Sequence, residues 1–211
     1  RVRQGHFNAT NLNIEHYSGG SDIWNGNAAI QIQPPQPDQE GPPPPLRRDL
    51  LPVAQLTGLR VTSRTGRGVV TIDGGQLTCT QTRVYDCAAT GIYVGGRGTR
   101  ARVVETDVLR CGLGSRSSSR RNAGIARGHS GVYLEQGVVD IIDCNVSNNT
   151  LTGITAVSNE NSTLNLTDSD LLGNGSFQLE IPSRNARGIH MRQNRLESQG
   201  TGRIRATLAP F

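Results

Sequence analysis

The feature that most constrains this chain is an internal repeat. Short stretches of alternating apolar and polar residues, punctuated by Gly and Asn, recur along almost the whole sequence. The plainest unit is Leu164-Asn165-Leu166-Thr167-Asp168-Ser169-Asp170-Leu171-Leu172-Gly173-Asn174. Its apolar anchor, Leu171, matches Leu196, Val146, Val108, Val84, Val61 and Ile14 in segments that align without gaps. From Ile14 onward the anchors are spaced by 47, 23, 24, 38, 25 and 25 residues. Seven turns of about 24 residues, two of them lengthened by insertions, account for nearly all of the 211 residues.

Two further columns run alongside the anchors. Five residues before them stand Ala9, Leu56, Cys79, Val103, Ile141, Leu166 and Met191. Eight residues after most of them stand Val69, Ile92, Ile154, Leu179 and Ile204, with Ile30 and Val132 holding that place in the lengthened turns. Each turn therefore carries three short strands of period two and no helical period, which is too much strand for an ankyrin or leucine-rich unit. The consistent solution is an all-β fold, a single-stranded right-handed parallel β-helix over residues 1–211 as one domain, with about seven coils stacked about 4.8 Å apart. The insertions are a Pro-rich loop at 33–55 and an Arg/Ser-rich loop at 113–130. The run Pro42-Pro43-Pro44-Pro45 makes the first extended or disordered.

The segments Gly91-Ile92-Tyr93-Val94, Gly131-Val132-Tyr133-Leu134, Thr152-Gly153-Ile154 and Val146-Ser147-Asn148-Asn149 resemble the β-helix repeats of the pectate-lyase-like superfamily, and the resemblance covers nearly all of the chain. It implies the fold far more than a function, since the superfamily holds polysaccharide lyases, hydrolases, epimerases, viral spikes, adhesins and structural stalks. In its enzymes the catalytic groups project from the strand with the Gly-Ile-x-Val pattern. The outward positions there are Gln31, Val70, Tyr93, Tyr133, Thr155, Glu180 and Arg205, with Glu135 one alternation further along. No pair of carboxyls of the kind a glycosidase needs stands out among them. Polygalacturonases carry Asn-Thr-Asp, Asp-Asp, Gly-His-Gly and Arg-Ile-Lys in order, whereas this chain has only Gly128-His129-Ser130 and Arg203-Ile204-Arg205.

All 22 basic residues are arginine, and the formal net charge is +5. Aromatics make up 4% of the chain, which speaks against a nucleic-acid binder, and no apolar run approaches the roughly 18 residues of a membrane span. Arg116, Arg120, Arg121 and Arg127 enter just before the strand of Tyr133; they form either a solvated basic loop with no partner or a set of guanidinium groups that grip carboxylate or sulfate, and Tyr93 and Tyr133 are either ordinary exposed sheet residues or rings offered to a sugar. Six N-x-S/T sequons, at Asn8, Asn145, Asn148, Asn161, Asn165 and Asn174, are glycosylation candidates if the chain is secreted.

Two other groups have structural explanations. Glu105, Asp143 and Asp168 share one turn position, with Asp107 and Asp170 two residues beyond. A stacked carboxylate site for Ca²⁺ is less consistent with that column than a tight turn, because Asn11 and Gly58 occupy it too. The four cysteines lack CxxC spacing. Cys87 and Cys111 fall in one column at a separation compatible with either a disulfide or two free thiols.

The resulting expectation is a non-catalytic extracellular β-helix module, structural or carbohydrate-binding, within a larger surface or secreted protein. Its partners would be acidic polysaccharide or other domains of that protein, and it needs no metal or cofactor. The alternative is a polysaccharide lyase or hydrolase, or a fragment of one, with Glu135, Glu180 and His129 as the first catalytic candidates.

Overall fold

The computed structural model describes residues 1–17, 27–35, 51–113, 130–157, 161–182 and 188–197, with the backbone of 203–206. Three parallel sheets of seven strands each make up the fold. The first sheet runs β1 (His6–Thr10), β4 (Val53–Thr57), β7 (Gln76–Thr80), β10 (Arg100–Val104), β13 (Gly137–Ile142), β16 (Ser162–Thr167), β19 (Ile189–Arg192). The second runs β2 (Asn13–His16), β5 (Arg60–Ser63), β8 (Arg83–Tyr85), β11 (Asp107–Leu109), β14 (Asn145–Ser147), β17 (Asp170–Leu172), β20 (Arg195–Leu196). The third runs β3 (Ala28–Ile32), β6 (Arg67–Ile72), β9 (Ile92–Gly95), β12 (Val132–Leu134), β15 (Ile154–Ala156), β18 (Phe177–Ile181), β21 (Arg203–Ala206). Every strand up to β18 pairs with the strand three places on, so the chain winds through the three sheets in turn as a parallel β-helix. Val53, Ala54 and Gln55, placed in the first insertion by sequence, are instead the opening residues of β4, because they pair with Gln76, Leu77 and Thr78.

The three apolar columns pair in the register that the repeat predicts. Leu56, Cys79, Val103, Ile141 and Leu166 stack on the first sheet. Val61, Val84, Val108, Val146 and Leu171 stack on the second, and Val69, Ile92, Val132, Ile154 and Leu179 on the third. All of these side chains are buried in one continuous core. Leu166 and Val146 are fully buried, while their neighbours Asn165 and Asn145 point outward and are partly exposed.

Between the first and second sheets the chain turns on a single residue of positive φ. Asn11, Gly58, Gln81, Glu105, Asp143, Asp168 and Gln193 all have φ between 47° and 65°. The left-handed conformation costs an L-residue roughly 1–2 kcal/mol, and Gln and Glu lack the local hydrogen bond that helps Asn and Asp tolerate it. What holds them is the ladder: the Gln81 N–H donates to Val104 O, Glu105 to Ile142 O, Asp143 to Thr167 O and Asp168 to Arg192 O. The acidic column is thus a corner of the backbone. Its carboxylates, and those two residues beyond, are spread along the outside, where Glu105 accepts from Gln81 and Asp107 and Asp170 pair with Arg83 and Arg195 on adjacent coils.

Two internal ladders of small polar groups line the corners. After Asn11 and Gly58 comes a leucine, Leu12 or Leu59, and after the other five left-handed positions come Thr82, Thr106, Cys144, Ser169 and Asn194. In successive coils the Thr82 N–H donates to Thr106 Oγ1 (3.3 Å), Cys144 N–H to Ser169 Oγ (3.1 Å) and Ser169 N–H to Asn194 Oδ1 (2.9 Å). At the second corner the column is Cys87, Cys111, Asn149 and Asn174. Cys111 N–H donates to Asn149 Oδ1 (2.9 Å), and Asn149 donates through both its N–H (3.0 Å) and its Nδ2 (2.9 Å) to Asn174 Oδ1. The four cysteines are free and buried. Cys87 and Cys111 are neighbouring thiols, and the hydrogen bond between them, together with burial, raises the Cys87 pKa well above its usual value. Burial pushes Cys79 and Cys144 each up to about 11.

The glycine of the Gly-Ile-x-Val pattern is explained by this second ladder. A Cβ on Gly91 would lie 2.9 Å from Cys111 Sγ, one on Gly131 would lie 2.5 Å from Asn149 Nδ2, and one on Gly153 would lie 2.6 Å from Asn174 Nδ2. None of the three has a positive φ. Glycine is required there for space rather than for conformation.

Truncating Leu166 to Ala should cost about 2–5 kcal/mol of unfolding free energy, the range for a buried leucine. Asn165→Ala, which removes only an outward hydrogen bond to Asp140, should cost about 1 kcal/mol. Urea denaturation of the two variants checks the register, and equal losses would refute it. Gly131→Ala should destabilise by about 1–3 kcal/mol although Ala suits the backbone there, because the added methyl strikes the Asn149 amide. The same assay reads it.

Candidate functional site

The third sheet carries the candidate site. Its outward column runs Gln31, Val70, Tyr93, Tyr133, Thr155 and Glu180 on successive strands. The next outward column, one alternation further, holds Gln33, Ile72, Gly95 and Glu135. A cleft of about 680 Å³ opens between and beyond them, lined by Arg1, Gln31, Gln33, Arg67, Asp73, Tyr93 and Glu135.

One wall is a chain of hydrogen bonds. Arg1 Nε donates to Gln31 Oε1 (2.7 Å), Gln31 Nε2 to Gln33 Oε1 (2.7 Å) and Gln33 Nε2 to Asp73 Oδ2 (3.2 Å). Because each side chain is held by the next, the rotamer entropy of these long groups is already spent in the unliganded protein. The opposite wall is a stack through three coils. The Arg67 guanidinium carbon lies 4.6 Å from the centre of the Tyr93 ring, whose other face is parallel to Tyr133 at 5.6 Å with an interplanar angle of 2°. The Tyr93 hydroxyl reaches diagonally across Gly95 and donates to the Glu135 carboxylate. A Cβ on Gly95 would lie 2.9 Å from the Tyr93 ring, so the glycine makes this reach possible.

The stack corrects the role expected for the tyrosines. Tyr133 is 7% exposed, and both faces of Tyr93 are taken by Arg67 and Tyr133. Neither ring is free to lie against a sugar; the pair instead stiffens the cleft wall and presents Glu135. Desolvation of the Tyr93 phenol, reinforced by the Glu135 hydrogen bond, raises its pKa above the usual tyrosine value, which unsuits it to act as a base near neutral pH.

Other residues expected to matter fall in different places. Arg116, Arg120, Arg121, Arg127 and His129, and the side chain of Arg205, lie outside the described residues. Glu180 stands half-buried on β18, opposite Thr155, and does not line the cleft. Among the sequons, Asn8, Asn148 and Asn161 are exposed, and Asn145 and Asn165 are outward and half-buried. Asn174 is a correction. It is buried, and its Nδ2, the atom a glycan would occupy, donates to Val146 O (2.9 Å) and Gln178 Oε1 (2.5 Å) inside the corner ladder. Polar turn composition produced that sequon, and the fold uses its amide.

Arg1, Gln33, Arg67 and Asp73 escaped the sequence reading. Gln33 follows directly on β3, so continuing the outward alternation one step past that strand would have found it; Asp73 follows the outward Ile72 at a left-handed turn residue, which the alternation does not mark. Arg1 had no such signal, since it reaches the cleft through a main-chain bridge between Val2 and Ile32.

The folded state holds the Tyr93 proton more tightly than the unfolded chain does. Its contribution to stability is therefore complete below about pH 10, the unfolded value, and is lost as the pH climbs above it. Tyr93→Phe should remove that part of the alkaline loss of stability. In a spectrophotometric phenol titration, the component that Tyr93→Phe removes should be one that ionises above the usual tyrosine range.

Compared with protein-family models, with curated proteins and with solved structures, the chain finds no match in any of the three.

Proposed function

We propose that this chain is a non-catalytic β-helix module of a secreted or cell-surface protein and that it binds carbohydrate in the cleft on its third sheet. The observation that carries the reading is the hydrogen-bonded wall Arg1–Gln31–Gln33–Asp73 facing Arg67 and Glu135. The pinned donors and acceptors come from the N-terminal segment, from β3 and from the residue after β6, and together they suit the hydroxyl groups of a saccharide. With two guanidinium and two carboxyl groups lining it, the cleft's own charge is balanced. A preference for acidic glycans then rests on the arginines at 116, 120, 121 and 127, the last of which precedes Ser130 by three residues. Ser130 is hydrogen-bonded to Thr155 at 2.6 Å on the same sheet. The resemblance of the repeat to pectate-lyase-like coils accords with a cleft on the Gly-Ile-x-Val strand. Exposed Asn8, Asn148 and Asn161 accord with a glycosylated, secreted setting.

A second reading, cleavage of the polysaccharide, is favoured by one feature. Asp73 and Glu135 line the same cleft two coils apart, a Cα separation on the order of 9–10 Å from the rung spacing. Inverting glycosidases set their two carboxyl groups roughly 6.5–9.5 Å apart. Against it, each carboxylate already accepts a hydrogen bond, from Gln33 and from Tyr93.

Calorimetric titration with a panel of neutral and acidic polysaccharides, followed by assay for new reducing or unsaturated ends, tests both. Binding without product is expected. It should weaken in Gln33→Ala, and for acidic glycans it should weaken further with salt and in the double variant Arg120→Ala/Arg121→Ala, since exposed charges are screened over about 8 Å at physiological ionic strength. Turnover that disappears in Glu135→Gln would replace the binding reading with the enzymatic one.

A further inference from the structure

Of the four buried cysteines, one pair falls on adjacent coils at the same corner. Tyr85 pairs with Leu109, so Cys87 and Cys111, each two residues further on, hold equivalent positions just past the ends of β8 and β11. Main-chain bonds bracket the pair: Asp86 N–H donates to Leu109 O (3.1 Å) and Gly112 N–H donates to Cys87 O (2.9 Å). The two Cα atoms are therefore held at about the rung spacing of 4.8 Å, inside the roughly 4.4–6.8 Å that a disulfide spans. Both thiols turn the same way, Cys87 Sγ donating to Tyr85 O (3.6 Å) and Cys111 Sγ to Leu109 O (3.5 Å). Glycines leave room for both sulfurs, since a Cβ on Gly68 would lie 3.1 Å from Cys87 Sγ and one on Gly91 would lie 2.9 Å from Cys111 Sγ. The other two cysteines have no thiol on an adjacent coil. Cys79 stacks between Leu56 and Val103, and Cys144 takes the ladder place between Thr106 and Ser169.

We propose that Cys87 and Cys111 join as a disulfide that staples the coil of β8 to the coil of β11. The oxidant is an external disulfide such as oxidised glutathione. One cysteine thiolate attacks it and releases a thiol, and the other attacks the resulting mixed disulfide and releases a second. The S–S bond of the oxidant is thus replaced by one in the protein, and the electrons and protons given up by the two cysteines end on the two released thiols. The exchange takes place as the chain folds. Completed folding closes the route, since both side chains are fully buried and the Cys87 thiol is held above its usual pKa. Cβ atoms stacked at the rung spacing stand slightly further apart than the roughly 3.5–4.5 Å found across a disulfide, so the corner tightens by a few tenths of an ångström as the bond closes. Positions past the strand ends accommodate this more readily than positions within a strand. The inference rests on the proposed secreted setting for its oxidising compartment, but not on what the cleft binds.

The test supplies its own oxidant and needs no glycan, so its outcome is separate from that of the carbohydrate titration. The 211-residue chain is reduced in urea, refolded by dilution into a mixture of reduced and oxidised glutathione, and then denatured and alkylated. Peptide mass spectrometry should find Cys79 and Cys144 alkylated and a linked peptide joining Cys87 to Cys111. Before denaturation the oxidised protein should keep the circular dichroism of the reduced one. Oxidation in urea is the control. In the unfolded chain Cys79 and Cys87 are eight residues apart, against 24 for Cys87 and Cys111, and loop closure favours the shorter span. The link should therefore shift towards Cys79–Cys87 there, which shows that the fold selects the Cys87–Cys111 pair. Four alkylated cysteines in the refolded chain, a link through Cys79 or Cys144, loss of the native circular dichroism on linking, or the same Cys87–Cys111 preference in urea would overturn the inference.

Discussion

From the second coil on, each strand residue of the described coils lies against its equivalent one coil earlier, and the parallel main-chain ladder that fixes this spacing is the constraint on which the rest depends. Because translation by one coil superimposes strand on strand, a choice made at one position is presented again by the next coil. An apolar residue at an inward position becomes a column, and the columns become a core. The same ladder imposes left-handed backbone at residues such as Gln81 and Glu105, whose side chains give no local help. The N–H bonds across the corner compensate for a conformation the isolated residue would avoid.

Stacking also makes polar groups tolerable inside. A lone buried asparagine would carry unsatisfied donors and acceptors at a cost of about 1–3 kcal/mol per group. Asn149 and Asn174 escape this because each finds partners in the adjacent coil and main chain, and Cys111 joins the same column with its N–H. The glycines opposite them leave the space that the ladder fills. Core, corner ladder and Gly-Ile-x-Val pattern are therefore one arrangement, and a change in any of them is felt in the neighbouring coil.

On the outside, the same repetition lines up groups that are far apart in sequence. Arg83 meets Asp107, Arg110 meets Asp86 and Arg195 meets Asp170, each one coil away. These exposed pairs contribute little to stability, but they show how an outer face becomes an ordered array. On the third sheet the array bends into a cleft, where Arg67, Tyr93 and Tyr133 stack as one block and Glu135 is held at its edge. That cleft is stiff for the reason the core is stiff, since its side chains rest on their equivalents in adjacent coils.

The sequence by itself determined the winding. The columns at Leu166, Leu171 and Leu179 are legible because inward positions accept only apolar or small residues, and repetition displays that rule coil after coil. It also marked the third sheet's outward column in its correct order. It could not give the direction a long side chain takes once on the surface. Tyr93 and Tyr133 looked like rings open to a sugar, but whether a ring faces solvent or its neighbour depends on what occupies the coils on either side, here Arg67 and Gly95. Asn174 read as a glycan acceptor on the same footing as Asn148, and one residue's difference in corner position put it inside. Asp73 and Glu135, 62 residues apart in the chain, share a cleft only because the coils bring β6 and β12 to within two rungs. Period and register are local properties repeated, and the sequence carries them; convergence of side chains across coils depends on rotamers and neighbours, and only the tertiary structure decides it.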